Sequence, residues 1–408
     1  MSKDFLILRE LGLKLAEIAA LPVQAEKKNM WRALNDLKPV RPMVYLDQLP
    51  WHELNENNEL TLICEDDFLR SVELEIRKIL YRWNHFPADM VVENRIDIPK
   101  TVHGLLYGAD IDEETLSIDS KNDIVSHKYV DQCSTLEELD QIKLDKIWVD
   151  EDLDKRHLEI CQEIFDGIMP VRLSGICIHG GVWDRISQMR PAENILIDLI
   201  DRPEFTRQVV EKFRDLTMSA IDQCEALGLL DAEAPLIHCT GAYVSDLPAE
   251  GYNPSQARAK DCWAFSMAQI FSTVGPDIHE EFEIDLLKPL LERFGLIYYG
   301  CCEPLDRKVS IIKKIKNVRK ISMSPWVNMD AGAEAIGRNY VYSGKAHPTF
   351  IAGTFDEESI RKQAVHILDA CKRNDTPCEI ILKDVSTVGY KPQILEQWER
   401  LVMSLVTS

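Results

Sequence analysis

The sequence predicts an α/β protein of the (β/α)8 TIM-barrel class, with an N-terminal helical segment and long insertions. Three observations predict it. Short apolar runs of strand character recur eight times along the 408 residues. Amphipathic helical stretches separate most of them, the pattern of parallel strands joined by crossover helices. No glycine-rich phosphate loop follows any run, which disfavours a dinucleotide-binding open sheet.

The elements follow in order. Helices are expected over residues 5–20 and 25–36, and Pro39 and Pro42 break the pattern after them. Residues 42–47 read as the first strand, with a helix over 66–83. Residues 89–93 read as the second strand, ending in Glu93 and Asn94. The third, 171–178, is closed by His179-Gly-Gly, and helices follow over 191–199 and 203–227. The fourth spans 263–271, with a helix over 277–293. The fifth to eighth strands are expected over 296–300, 319–324, 340–343 and 379–382.

Two stretches exceed ordinary loop length. Residues 105–160 hold the acidic runs Asp110-Ile-Asp-Glu-Glu114 and Asp150-Glu-Asp152, and residues 229–262 hold His238-Cys239. Loops this long are usually lids or binding loops. Repeats, low-complexity tracts and Gly/Ser linkers are missing, so the reading is one domain over 1–408, its first 38 residues helical.

Composition narrows the function. Hydrophobic residues make up 45% and charged residues 28%, ordinary for a globular protein. A net charge of −21 argues against a nucleic-acid or anionic-membrane surface, which would need a basic stripe. The basic cluster Lys313-Lys-Ile-Lys316 with Arg319 and Lys320 reads as a solvated helix face. No run approaches the ~18 apolar residues of a membrane span, and the N-terminus lacks a signal-peptide pattern. The 11 cysteines are odd in number and form no C-x-x-C pair, so a reducing cytoplasm is expected.

In a barrel the active site lies at the C-terminal ends of the strands. That rule selects Asp47 with Gln48, Glu93 with Asn94, His179, Gln269, residues 301–303, Ser324 with Trp326, residues 343–347, and Lys383 with Asp384. The richest segment is Leu296-Ile-Tyr-Tyr-Gly-Cys-Cys-Glu-Pro304, where an apolar run ends in two thiols and a carboxylate. Thiolates there are metal ligands or nucleophiles, or else small buried hydrophobes.

The strand ends resemble a family. Arg41-Pro-Met-Val-Tyr45, His179-Gly-Gly-Val-Trp183, Gly275-Pro-Asp-Ile-His-Glu-Glu-Phe282 with Pro289, and Tyr342-Ser-Gly-Lys-Ala-His-Pro348 occur in the order and spacing of the uroporphyrinogen decarboxylase superfamily. The chain is most similar to its cobalamin-dependent methyltransferases, the coenzyme M and O-demethylase branch, over roughly residues 38–405. There are departures. The zinc enzymes of that branch carry His-x-Cys after the fifth strand and a cysteine after the eighth. This chain has Tyr299-Gly-Cys301-Cys302 and Leu382-Lys-Asp384. The porphyrinogen-binding arginine segment is replaced by Asp47-Gln-Leu-Pro-Trp-His-Glu53, an unfavourable surface for a polycarboxylated tetrapyrrole.

The resemblance implies a methyltransferase that moves a methyl group between a small methylated compound, such as a methoxylated aromatic, and a cobalamin-type corrinoid. The chain lacks an Asp-x-His-x-x-Gly corrinoid motif, so a partner corrinoid protein is implied. One zinc is expected on Cys301 or Cys302, with His238, Glu303 or Asp384 completing the shell. Glu93, His179 and His347 are the candidate general acids, and Asp47, Asn94, Gln269, Tyr299 and Trp326 the candidate substrate contacts. Two other functions stay open: a lyase or decarboxylase acting on a non-porphyrin acid, and a ligand-binding barrel without turnover.

Overall fold

The computed structural model describes residues 2–105, 110–116 and 125–408. Eight strands carry the fold: β1 Met43–Leu46, β2 Ile96–Pro99, β3 Val171–Ser174, β4 Trp263–Ser266, β5 Leu296–Tyr299, β6 Val318–Met323, β7 Val341–Lys345 and β8 Cys378–Leu382. Six of them form one parallel sheet in the order β1-β8-β7-β6-β5-β4. Val44 pairs with Ile380, Ser343 with Glu379, and Ser266 with Tyr299. β2 and β3 form a separate parallel pair, Ile96 opposite Val171. Single contacts tie that pair to both edges of the larger sheet. His179, beyond β3, bridges to Phe265 of β4. The Asp89 N–H, before β2, donates to the Val44 carbonyl at 3.1 Å. The arrangement is consistent with a TIM-barrel-like fold.

Most strands of the larger sheet are buried on both faces, as parallel strands under helices must be, while β2 and β3 are partly exposed. Every residue of β1, β5, β7 and β8 is buried. The helices start on recognisable caps. α1 (Lys3–Ala19) is capped by the Ser2 hydroxyl, α2 (Pro22–Asn35) begins on proline, and α3 (Asp67–His85) is capped by Asp66. Among the described residues of the 105–160 insertion are two antiparallel paired strands, Glu113–Leu116 and Ser126–Tyr129, the helix α4 (Leu136–Gln141) and the start of the helix α5 (Glu151–Ile164). Residues 106–109 and 117–124 of that insertion lie outside the described residues. No described helix is long and apolar enough to cross a membrane.

Three expected strands need correction, and the third of the eight stops at Ser174, four residues short of the expected end. Residues 89–93 are not a strand, and β2 begins at Ile96. The apolar run is tied down by side chains and turns instead of a ladder. Asp89 takes the Arg41 guanidinium and the Val44 N–H at 2.8 Å, its carbonyl accepts from Trp31 Nε1 at 2.8 Å, and Gln24 takes the Val92 N–H at 2.8 Å. The fourth strand stops at Ser266, and Gln269–Thr273 is a 3-10 turn.

The second insertion supplies a tight hairpin, Leu236–Ile237 with Thr240–Gly241, tipped by His238 and Cys239. Its Gly241 lies against Trp31, where a Cβ would fall 2.5 Å from the ring, so only glycine admits this approach. Beneath the tip is a fully buried ion pair. Lys320 Nζ is 2.8 Å from Glu379 Oε2 and 2.9 Å from Thr240 Oγ1, and Thr240 Oγ1 donates to the same carboxylate at 2.7 Å. Lys320 therefore does not belong to a solvated basic face. Strand alternation turns it inward, while Arg319 takes the opposite face and pairs with Asp246 at 2.6 Å.

Removing one partner of a buried pair leaves an uncompensated charge. Glu379→Ala is therefore expected to lower the unfolding free energy by about 3–5 kcal/mol. The double variant Lys320→Met, Glu379→Leu should recover at least half of that loss, as read by chemical denaturation.

Candidate functional site

The site is built where β5 and β8 end. β5 stops at Tyr299 and the chain turns through Gly300, whose φ of 94° excludes other residues. A Cβ there would also lie 2.3 Å from Leu305 Cδ1. The turn brings Cys301 Sγ and Cys302 Sγ to 3.5 Å of each other. The fully buried Glu303 braces it. Its Oε1 accepts from the Ala268 N–H at 3.1 Å and its Oε2 from the Cys301 N–H at 2.9 Å. Burial holds that carboxyl above the usual range.

From β8, Lys383 and Asp384 reach the same place. Cys302 Sγ lies 3.2 Å from Asp384 Oδ2. Lys383 Nζ lies 2.8 Å from Cys301 Sγ and 3.1 Å from Asp384 Oδ2. From the hairpin tip, His238 Nε2 lies 3.3 Å from Lys383 Nζ. His238 and Asp384 both sit at positive φ, 52° and 55°. Such backbone is uncommon outside glycine and is stored strain of the kind found at functional sites.

Electrostatics separate the two thiols. The hydrogen bond from Cys302 pulls the Cys301 thiol well below the usual thiol range, burial opposes it, and His238 and Lys383 add to the lowering. The same hydrogen bond, with burial, raises Cys302. Cys301 is buried and Cys302 half-buried. The ligand atoms of Cys301, Cys302 and Asp384 lie within 4.8 Å of one another, the one such group of metal-binding type among the described residues. It is a possible metal site. His238 borders it. Glu303 has both oxygens engaged by backbone and stands outside it.

A second cluster faces this one from β3 and β4. His179 and His238 stack on Phe265, at centroid distances of 4.4 and 5.0 Å. Burial lowers both imidazoles, His179 to about 4 with the His238 charge adding to the effect, so both are neutral near pH 7. His179 Nε2 is buried and has no hydrogen-bond partner among the described residues. α6 (Val182–Met189) starts just after Gly180-Gly181 and carries Asp184, whose Oδ2 lies 3.6 Å from His179 Nε2. Burial pushes Asp184 up to about 7, the charges of Glu303 and Cys301 add to the rise, and a hydrogen bond from Gln269 opposes it.

The remaining candidates are scattered. Because β2 begins later than expected, Glu93 precedes a strand instead of ending one, and it pairs with Lys28 at 2.6 Å and with the Tyr243 hydroxyl. Asn94 is exposed beside it. Tyr299 points into the helix layer, bonded to His279 Nε2 at 2.7 Å and Glu283 Oε1 at 3.3 Å. Alternation gives the inward position to Tyr298, which meets Ser343 at 3.0 Å and Lys345. His347 stacks on Phe350 and meets the exposed Trp326 edge-on at 4.5 Å, forming a separate aromatic cluster at the exits of β6 and β7. The Asp47 N–H donates to the Leu382 carbonyl at 2.9 Å and continues the β1–β8 pairing. The strand-end rule selects Lys383 together with Asp384, and sequence reasoning missed Asp184. The available signal was an acid on the first turn of the helix that follows His179-Gly-Gly.

No protein-family model matches the chain, and no curated protein matches it. Solved structures do match. A methyltransferase from Methanosarcina mazei superimposes with a TM-score of 0.51 at 12% identity, covering 92% of this chain and 98% of that one. At that identity the likeness is one of fold.

The contacts to Cys301 predict its reactivity. A small alkylating agent should modify Cys301 at a rate that stays flat as pH falls from 9 toward 5, where an ordinary thiol of pKa about 8.5 would slow steadily. Lys383→Gln or Cys302→Ala should restore the ordinary decline, followed by mass spectrometry of the labelled peptide.

Proposed function

We propose that this chain is a methyltransferase, moving a methyl group between a small methylated compound and a corrinoid carried on a partner protein. It is one domain, a closed (β/α)8 barrel with two insertions, and it works at the mouth where β5 and β8 end. The carrying observation is the pair of thiols with Asp384 at that mouth. The likeness to a methyltransferase fold over nearly the whole chain supports the same reading.

The donors suit zinc. Two sulfurs, a carboxylate oxygen and the neighbouring His238 nitrogen are a set that zinc accepts and magnesium, an oxygen-seeking ion, does not. Cys301, Cys302 and Asp384 would hold the ion, with His238 the nearest fourth donor. When bound, zinc supplies a Lewis acid to a leaving oxygen, or holds an accepting thiolate. The side chains do the rest. Glu303 fixes the turn that presents both sulfurs. Phe265 orients the two neutral imidazoles. Lys383 offers a cation to any negative group at the mouth, and it must swing aside from Cys301 when an ion takes that position.

The test is metal content with methyl transfer. Protein purified without chelator is expected to hold about one zinc per chain by elemental analysis. It should also exchange methyl groups with added cobalamin, followed by the corrinoid absorbance. The variant Cys301→Ser, Cys302→Ser should lose both the zinc and the exchange. Equal zinc in the two proteins would remove the thiols from the ligand shell.

A further inference from the structure

We infer that Asp184, with His179 beside it, donates the proton to the oxygen from which the methyl group departs, so that the methylated substrate is an ether or an alcohol. This rests on the methyl-transfer reading and goes beyond it by assigning a catalytic residue and a leaving-group class.

Geometry carries the assignment. Asp184 Oδ2 and His179 Nε2 are 3.6 Å apart, too far for a hydrogen bond to each other and close enough for one oxygen atom to touch both. His179 Nε2 has no hydrogen-bond partner among the described residues, and an unmatched buried nitrogen is a place for a ligand atom. The pair is held in place. The His179 ring lies flat on Phe265, with an interplanar angle of 12°. Gly181 stands behind it, where a Cβ would fall 3.0 Å from Nε2 and 2.7 Å from the Met267 carbonyl oxygen. Both side chains keep about a third of their surface exposed at the mouth, 32% and 30%.

The polar groups around Asp184 come from four strand exits and one helix. Burial raises its carboxyl, as do Glu303 and Cys301 after β5. Gln269 after β4 and Lys383 after β8 work the other way. Glu283, on the π-helical turn Glu280–Ile284, faces it as a further acid whose own carboxyl burial raises. His179 is neutral beside it. The carboxyl therefore keeps its proton up to about pH 7.

The step balances. The C–O bond breaks with its electron pair remaining on oxygen. The methyl group passes to the reduced corrinoid acceptor, whose own electron pair forms the new bond. The Asp184 proton goes to the oxygen, giving a phenol or water, and solvent returns a proton to the carboxylate. A sulfonium donor leaves as a neutral thioether and needs no proton.

That contrast sets the experiment. The full chain is given reduced cobalamin as acceptor, with 2-methoxyphenol, methanol and trimethylsulfonium as donors, from pH 5.5 to 8.5. For the oxygen donors, turnover should fall as pH rises through about 7. Asp184→Asn should cut it about 100-fold and abolish that pH dependence, and Asp184→Glu should restore part of it. Sulfonium turnover should change less than about 3-fold in Asp184→Asn. An equal loss on both donor classes would overturn the assignment and leave a structural role. Sulfonium turnover without any oxygen-donor turnover would overturn it while methyl transfer stands. No transfer from any donor would end the methyl-transfer reading, and this inference with it.

Discussion

One buried carboxylate holds the site together. Glu303 receives the backbone N–H groups of Ala268 and Cys301, so it joins the exit of β4 to the exit of β5. Both its oxygens are spent on backbone, which fixes the direction of the turn after Gly300. That direction decides where the thiols go. Successive side chains on a strand face opposite ways, yet Cys301 and Cys302 meet the same partners because the strand has already ended. The early end of β4 has the same origin, since the Ala268 N–H is committed to Glu303 and not to a neighbouring strand.

A second buried layer supports this rim from below. The hairpin from the second insertion enters beneath it, anchored through Thr240 by Lys320 and Glu379. Its tip raises His238 to Lys383 and Phe265. An insertion that reads as a loop thus contributes both a floor and an imidazole at the rim. The left-handed backbone at His238 and Asp384 is kept by this packing.

Much of the fold was legible in the sequence, because fully buried parallel strands are written as short apolar runs. The runs over β1 and β5 to β8 fall within a residue or two of the expected positions. The failures share a cause. Residues 89–93 are as apolar as a strand, but Asp89 and Gln24 draw their backbone into side-chain hydrogen bonds that no periodicity reveals. Lys320 reads as surface until its partner Glu379 is known to stand 2.8 Å away on β8. The thiols and Asp384 were legible from the rule that strand ends face one rim. Asp184 was not, since its raised carboxyl comes from burial and from the charges of Glu303 and Cys301, which are properties of the folded chain.

The central claim is that the two thiols and Asp384 form one metal centre, and X-ray absorption at the zinc edge tests it most directly. The account predicts two sulfur scatterers at about 2.3 Å and two lighter atoms at about 2.0–2.2 Å in the zinc-loaded protein. A first shell of oxygen and nitrogen alone would contradict it.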